Sequence, residues 1–178
     1  DPSGLIVAAL SHLEAQPPAA DGGRGATTEV LDLRIRLADG AEFPGRVVLK
    51  DPDLDLVFIM PVPPKNGGAL PTFVHVPLEK GVTAEILDTV VALDRLGKAY
   101  DWQPAAIVDR LMAVVQKPRT YYVCPGMTGN PVFRLDGKLL GIGVTRREHD
   151  NVEVILPAED VLEVAQQALA KKEEKPKP

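Results

Sequence analysis

The sequence predicts an all-β barrel or sandwich, and three observations lead to that prediction. Hydrophobic residues make up 45% of the 178 residues, but aromatic residues make up only 4%, and the apolar runs are short. The 15 glycines and 17 prolines fall between these runs, where they interrupt regular structure. Two Asp-Gly dipeptides, Asp39-Gly40 and Asp136-Gly137, each lie between apolar arms, which is typical of a β-hairpin.

The first third of the chain predicts a short strand, a loop and a hairpin. Residues 5–9 form an apolar run that fits a buried strand. Residues 16–28 are rich in proline, glycine and alanine, so we expect an exposed loop. Residues 31–37 alternate apolar and polar side chains, which is the pattern of a half-buried strand, and residues 42–49 return as its partner beyond Asp39-Gly40.

The middle of the chain contains further short apolar runs. Residues 54–60 predict a strand, which the prolines and glycines of residues 61–68 bring to an end. Residues 70–76 and 82–93 are strand-like. Residues 105–116 fit a strand or one face of a helix, and periodicity alone does not choose between them.

The last third predicts a second hairpin and a single helix. Residues 132–142 form the two arms around Asp136-Gly137. Residues 158–169 place their apolar side chains on one helical face, with acidic residues early and lysines late, as the helix dipole favours. Residues 171–178 lack apolar side chains, and we expect a disordered tail.

Composition also excludes several kinds of partner and cofactor. The formal net charge of −5 argues against nucleic acid as the main partner, and no apolar run approaches the ~20 residues of a membrane-spanning helix. The single cysteine, Cys124, forbids an intrachain disulfide. His12, His75 and His149 are too scattered to form a zinc site with it, so we predict no metal and no other cofactor.

Three segments, in order along the chain, resemble one protease family. Residues 37–48 read LADGAEFPGRVV and residues 51–57 read DPDLDLV, residues 124–142 read CPGMTGNPVFRLDGKLLGI, and residues 154–158 read VILPA. They resemble the L-A-D-G-x-E-F hairpin and D-P-x-x-D-L-A-V segment, the N-P-G-N-S-G-G-P nucleophile loop, and the F-A-I-P segment of the high-temperature-requirement A family of trypsin-like serine proteases. The resemblance covers nearly the whole chain.

The resemblance implies a fold of two chymotrypsin-like six-stranded β-barrels followed by a C-terminal α-helix. It assigns residues 1–78 to a first barrel that lacks its opening strand, residues 79–156 to a second barrel, residues 157–170 to the helix and residues 171–178 to the tail. It also implies a location outside the cytoplasm, and it leaves a homo-oligomer open.

The resemblance places Asp55 in the position of the triad aspartate and Thr128 in the position of the nucleophilic serine. The histidine position depends on the direction of counting. Counting forward from GLIV at residues 4–7 gives Ser11, and counting back from the histidine gives His12. We favour His12, because a one-residue bulge before the histidine is easier than its loss. The predicted catalytic residues are therefore His12, Asp55 and Thr128, in the order found in chymotrypsin-type enzymes.

The resemblance also assigns the groups that would receive a substrate. The backbone N–H groups of Gly126 and Thr128 would form the oxyanion hole. An extended peptide would pair with the strand at Gly141, Ile142, Gly143 and Val144, which is β-augmentation.

Three departures from the family motif predict impaired catalysis. The Cβ methyl group of Thr128 restricts its side chain beside the attacking trajectory. Asn130 replaces a glycine, where we expect an unusual φ, and Met127 replaces a small polar residue beside the oxyanion hole. Cys124 is an alternative nucleophile that we disfavour, because it lies four residues before Thr128 and base and nucleophile must be within reach of each other.

The favoured function is a catalytically impaired trypsin-like protease homologue that binds an extended or unfolded polypeptide. A slow endopeptidase with Thr128 as nucleophile is the first alternative. A purely structural all-β interaction domain is the second.

Overall fold

The computed structural model describes residues 2–14, 32–64, 68–146 and 152–173. Within these ranges the chain forms two curled antiparallel sheets and a C-terminal helix, so the predicted fold class is confirmed. The sheets contain four and seven described strands, whereas the resemblance implied six in each barrel. The loop predicted at residues 16–28, His149 and most of the predicted tail lie outside the described residues.

The first sheet has the strand order β1-β4-β3-β2, so that β4 and β3 are central. A short helical turn, α1 (Leu10–Leu13), follows the first strand directly. The strands are β1 (Ile6–Ala9), β2 (Arg34–Arg36), β3 (Glu42–Asp51) and β4 (Leu56–Pro61).

The second sheet has the strand order β6-β5-β9-β10-β11-β8-β7. Its central strand, β10, pairs with β9 on one side and with β11 on the other. A turn of 3-10 helix, Lys98–Tyr100, lies between β5 and β6. The strands are β5 (Thr89–Arg95), β6 (Pro104–Arg110), β7 (Ala113–Val115), β8 (Tyr121–Val123), β9 (Pro131–Arg134), β10 (Leu139–Arg146) and β11 (Val152–Pro157).

Both predicted hairpins are confirmed. Gly40 and Gly137 adopt φ angles of 85° and 82°, a left-handed conformation that glycine reaches without a steric penalty. The ambiguous residues 105–116 contribute two short strands, β6 and β7, and no helix. The prediction of a strand at residues 70–76 was wrong, because this segment joins no sheet and is mostly exposed, although Phe73 packs edge-on against Phe43.

The C-terminal helix, α2 (Ala158–Glu173), is four residues longer than the predicted apolar face. Its buried side chains pack between the two sheets and belong to one core cluster with residues of β4, β10 and β11. The side chains of β4 alternate: Leu56 and Phe58 enter this shared core, whereas Val57 and Ile59 fill the interior of the first sheet. The two sheets and α2 therefore share one hydrophobic core, which supports the cleft between the sheets. No described helix is long and apolar enough to cross a membrane.

Candidate functional site

Asp55 lies where the first sheet meets the second. It follows the turn between β3 and β4, and its side chain is 3% exposed. The carboxylate accepts hydrogen bonds from the Ser11 backbone N–H at 2.7 Å, the Ser11 hydroxyl at 2.8 Å and the Thr145 backbone N–H at 2.8 Å. Three hydrogen bonds therefore hold this buried carboxylate in one orientation.

Ser11, and not His12, is the neighbour of the Asp55 carboxylate. The Leu10 N–H also donates to the Asp55 carbonyl at 2.8 Å, which fixes the start of α1 against this turn. His12 has no hydrogen bond to Asp55 in the part of the chain that the structure describes. Adjacent side chains in a helical turn point about 100° apart, so Ser11 meets Asp55 while His12 is directed elsewhere.

The exposed His12 ring lies against the loop of residues 124–130, which we call the nucleophile loop after the family segment that it resembles. A Cβ atom built on Gly129 would lie 2.3 Å from His12 Nδ1, so the ring covers the backbone directly after Thr128. His12 and Thr128 are therefore close neighbours. The Thr128 Oγ1 atom is nevertheless buried without a hydrogen-bond partner among the described residues.

The nucleophile loop is held to β10 by its backbone. The Gly129 N–H donates to the Gly143 carbonyl at 2.8 Å, and the Gly143 N–H donates to the Asn130 carbonyl at 3.0 Å. A Cβ atom on Gly143 would lie 1.8 Å from the Met127 carbonyl oxygen, so only glycine permits this approach. The loop therefore keeps its place against the second sheet although its sequence departs from the family motif.

The two other substitutions in the loop have different consequences. Asn130 is absent from the described residues with a positive φ, so the unusual backbone angle expected there does not occur. Gly129 takes the left-handed conformation, with a φ of 82°. Met127 is 1% exposed and packs into the core of the second sheet, so its side chain lies beneath the loop and not over the predicted oxyanion hole.

The Gly126 N–H, one of the two predicted oxyanion donors, is hydrogen-bonded to the Glu153 carboxylate. Glu153 lies on β11, directly opposite Thr145 on β10. Sequence reasoning missed this residue. The available signal was its position as the single charged residue within the otherwise apolar run 152–156.

The predicted peptide-binding strand has no free edge at Gly141 and Ile142. Both residues pair with β11 on one side and with β9 on the other. Gly143 is bonded to the nucleophile loop, as described above. An added peptide strand therefore cannot pair with these residues, because their backbone groups already have partners. On the side of β10 that faces away from β11, the Thr145 N–H donates to the Asp55 carboxylate.

Cys124 behaves as a buried core residue. It is 1% exposed and packs in the core of the second sheet. Burial raises the pKa of its thiol to about 11, and the nearby Asp109 carboxylate acts in the same direction. A thiol with this pKa is protonated at neutral pH and is a poor nucleophile.

A cavity lies away from these residues. Its volume is about 550 Å³, and it is formed by β1, the segment around Phe73 to Leu78 and one face of α2. Its lining contains neither Asp55 nor Thr128. His75 lines this cavity and is exposed, at a distance in the fold from the candidate site.

Comparison with known proteins bears on the fold. No protein-family model matches the chain, and no curated protein matches its sequence. A similar solved structure is the apo form of the MamO protease domain from Magnetospirillum magneticum. It is 16% identical, the alignment covers 91% of this chain and 82% of that chain, and the TM-score is 0.60.

The chain has a trypsin-like fold. At 16% identity the likeness concerns the fold alone, and the arrangement of the two sheets and the C-terminal helix agrees with it. In a trypsin-like fold the catalytic residues lie between the two barrels, which is where Asp55, Ser11, His12 and Thr128 lie here. This cleft is therefore the candidate functional site.

Proposed function

We propose that this chain is a trypsin-like protease homologue with impaired catalysis that binds an extended polypeptide in its cleft. The observation that carries the proposal is the environment of Asp55. Its carboxylate is hydrogen-bonded to Ser11 and Thr145, and none of the hydrogen bonds it accepts from described residues comes from an imidazole.

Acyl transfer by a hydroxyl nucleophile needs a base that takes its proton. In a triad, the imidazole takes the proton and the aspartate orients the imidazole. Here the Ser11 hydroxyl is hydrogen-bonded to Asp55 where a triad has its imidazole, and a hydroxyl group does not act as a base at neutral pH. Because the loss of a triad base lowers the rate by about 10⁶-fold, we expect hydrolysis to be undetectable in ordinary assays.

Peptide binding does not need this chemistry. Among the described strands, none lies beside β10 beyond Gly143 on the side of the first sheet, and the Thr145 N–H there is directed at Asp55. In an antiparallel ladder the carbonyl of the same residue points to the same side. An extended peptide would pair there through the Thr145 carbonyl, because the Thr145 N–H already donates to Asp55, with Gly141 to Val144 as the supporting part of the strand.

A slow endopeptidase is the second candidate, and the position of His12 favours it. The His12 ring contacts Gly129, one residue from Thr128, so a rotation of either side chain could bring base and nucleophile within reach. In this alternative His12 acts on Thr128 without an orienting aspartate.

Labelling with a fluorophosphonate probe and an assay on an unfolded protein substrate separate the two candidates. We expect the wild-type chain to show neither labelling nor cleavage. Labelling that disappears in both Thr128→Ala and His12→Ala would overturn the proposal of impaired catalysis and establish the endopeptidase. The double variant Ser11→His with Thr128→Ser supplies the triad groups that the wild-type chain lacks.

Binding of a fluorescent unfolded polypeptide, followed by anisotropy, tests the other half of the proposal. We expect saturable binding, with changes in the amide NMR signals of Thr145 and Arg146. An absence of binding at every concentration would instead favour the purely structural domain. The extracytoplasmic location and a homo-oligomeric state stay predictions from the family resemblance.

A further inference from the structure

We infer that the Glu153 carboxylate occupies the oxyanion hole of this cleft and closes it to the carbonyl group of a bound polypeptide. The inference rests on the proposed function, because that function identifies the Gly126 N–H as a donor to the oxyanion. It goes beyond that function by naming a residue that controls access to the site.

The first support is the contact itself. The Gly126 N–H donates directly to a Glu153 carboxylate oxygen. A hydrogen bond to a carboxylate is roughly twice as strong as one between neutral groups. A peptide carbonyl would have to displace this stronger acceptor from the same N–H, so the two compete for one donor.

The second support is the placement of Glu153 by the strand ladder. Side chains alternate along β11, and Glu153 shares a face with Ile155, which packs in the core of the second sheet together with Met127. Glu153 therefore points toward the end of that core which the nucleophile loop covers. Because Thr145, its partner on β10, donates to Asp55, one pair of residues links the acid of the cleft to its oxyanion hole.

The third support is the exposure of the contact. Gly126 is exposed and Glu153 is half-buried, so solvent reaches the hydrogen bond. The carboxylate can rotate into water without leaving a buried charge unpaired. Glu153 is therefore a displaceable occupant of the hole and not a fixed part of the core.

The contact adds to the effect of the other substitutions. Ser11 replaces the base and Thr128 carries an unpartnered hydroxyl, as described above. Even with both of these groups restored, a carbonyl could not be polarised while the Gly126 N–H is taken, and the loss of one oxyanion donor lowers the rate by about 10²- to 10³-fold.

The first experiment measures the Gly126 amide by NMR in the wild-type chain and in Glu153→Gln and Glu153→Ala. We expect the amide proton signal to move upfield in the order wild type, glutamine, alanine, because the acceptor becomes neutral and is then removed. Amide hydrogen exchange at Gly126 should accelerate by about tenfold or more in Glu153→Ala, since a hydrogen-bonded amide is protected.

Glu159→Gln is the matched control for these measurements. Its carboxylate also accepts a backbone N–H, that of Gly81, at 3.3 Å, and the substitution removes the same charge. We expect it to leave the Gly126 signal unchanged. An unchanged Gly126 signal and exchange rate in Glu153→Ala would overturn the inference.

The second experiment compares polypeptide binding by the same variants in the anisotropy assay. Removal of a competing charged acceptor should tighten binding by about tenfold in Glu153→Ala and leave Glu159→Gln at the wild-type affinity. Equal affinities in the two variants would show that Glu153 holds the amide without closing the site, which overturns the inference. If no variant binds polypeptide, the proposed function fails, and the Gly126 measurements still decide whether Glu153 fills the hole.

Discussion

At the scale of single residues, the cleft is organised around Asp55. It has a φ of 57°, which is uncommon outside glycine and is often found at functional sites. The hydrogen bonds from Ser11 and Thr145 hold the carboxylate while the Leu10 N–H holds the carbonyl, so the surrounding structure fixes this conformation. The Asp55 carboxylate is therefore held in one orientation, with a serine side chain as its partner.

Gly143 gives a prediction at the same scale. In Gly143→Ala the new methyl group would meet the Met127 carbonyl oxygen at 1.8 Å, which is backbone and cannot rotate away. We expect the nucleophile loop to shift and the free energy of unfolding to fall by about 1–3 kcal/mol, as for other overpacked sites. Urea denaturation measures the loss.

Gly97→Ala is the control for this substitution. Gly97 has a φ of −67°, and a Cβ atom there would have nothing within 4 Å. We expect its midpoint to equal that of the wild type. A Gly143→Ala variant as stable as Gly97→Ala would contradict the close approach of the loop to β10.

At the scale of elements, α2 is joined to the second sheet by one ion pair near its start. Arg119 lies before β8 and donates to the Asp160 carboxylate at 2.7 Å. Burial raises the pKa of Asp160, and the Arg119 guanidinium acts in the opposite direction. Burial therefore disfavours the charged form of Asp160, and the Arg119 guanidinium offsets part of that cost.

We predict that Arg119→Met lowers the free energy of unfolding by about 1–3 kcal/mol at neutral pH, because a half-buried carboxylate loses its partner. The raised pKa means that the folded state holds the Asp160 proton more tightly than the unfolded state. This group's contribution to stability thus falls as pH rises above its unfolded value of 3.8. Without Arg119 the folded pKa rises further, so the deficit of the variant should grow from acid to neutral pH.

Urea denaturation at neutral pH and below pH 3.8 measures this change. Lys138→Met is the control, because Lys138 and Glu79 are both exposed and 3.9 Å apart, and such a pair contributes about 0–1 kcal/mol. A deficit in Arg119→Met that is the same at both pH values would show that Arg119 acts through packing and not through Asp160.

At the scale of the whole molecule, the two sheets and α2 share one core. Phe58 is 1% exposed, and the cluster to which it belongs includes residues of β4, β10, β11 and α2. The only tryptophan, Trp102, lies between β5 and β6 with the Arg36 guanidinium 6.0 Å from its ring centroid. Its fluorescence therefore reports on a contact between the second sheet and the first.

We predict that Phe58→Ala lowers the free energy of unfolding by about 3–5 kcal/mol, because it removes a buried side chain and leaves a cavity. The midpoints from circular dichroism and from Trp102 fluorescence should move together, since both sheets depend on the shared core. Val108→Ala, at a position 63% exposed, should leave both midpoints unchanged. Separate midpoints in Phe58→Ala would show that the two sheets unfold independently.

Much of the fold could be predicted from local patterns. The two Asp-Gly hairpins, the early strand and the C-terminal helix each follow from residues close together in the chain. The strand predicted at residues 70–76 failed because an apolar run can pack against a protein without a ladder partner. Residues 105–116 needed the structure, because pairing of β6 with β5 and of β7 with β8 lies outside any single window.

The sequence by itself determined the class of the fold, the positions of Asp55 and Thr128 along the chain, and the departures from the family's nucleophile motif. Only the tertiary structure decided which side chain meets Asp55, because a one-residue difference within α1 turns either Ser11 or His12 toward it. It also decided that Glu153 meets Gly126. That contact joins residues 27 positions apart, and the pairing of β8 with β11 brings them together.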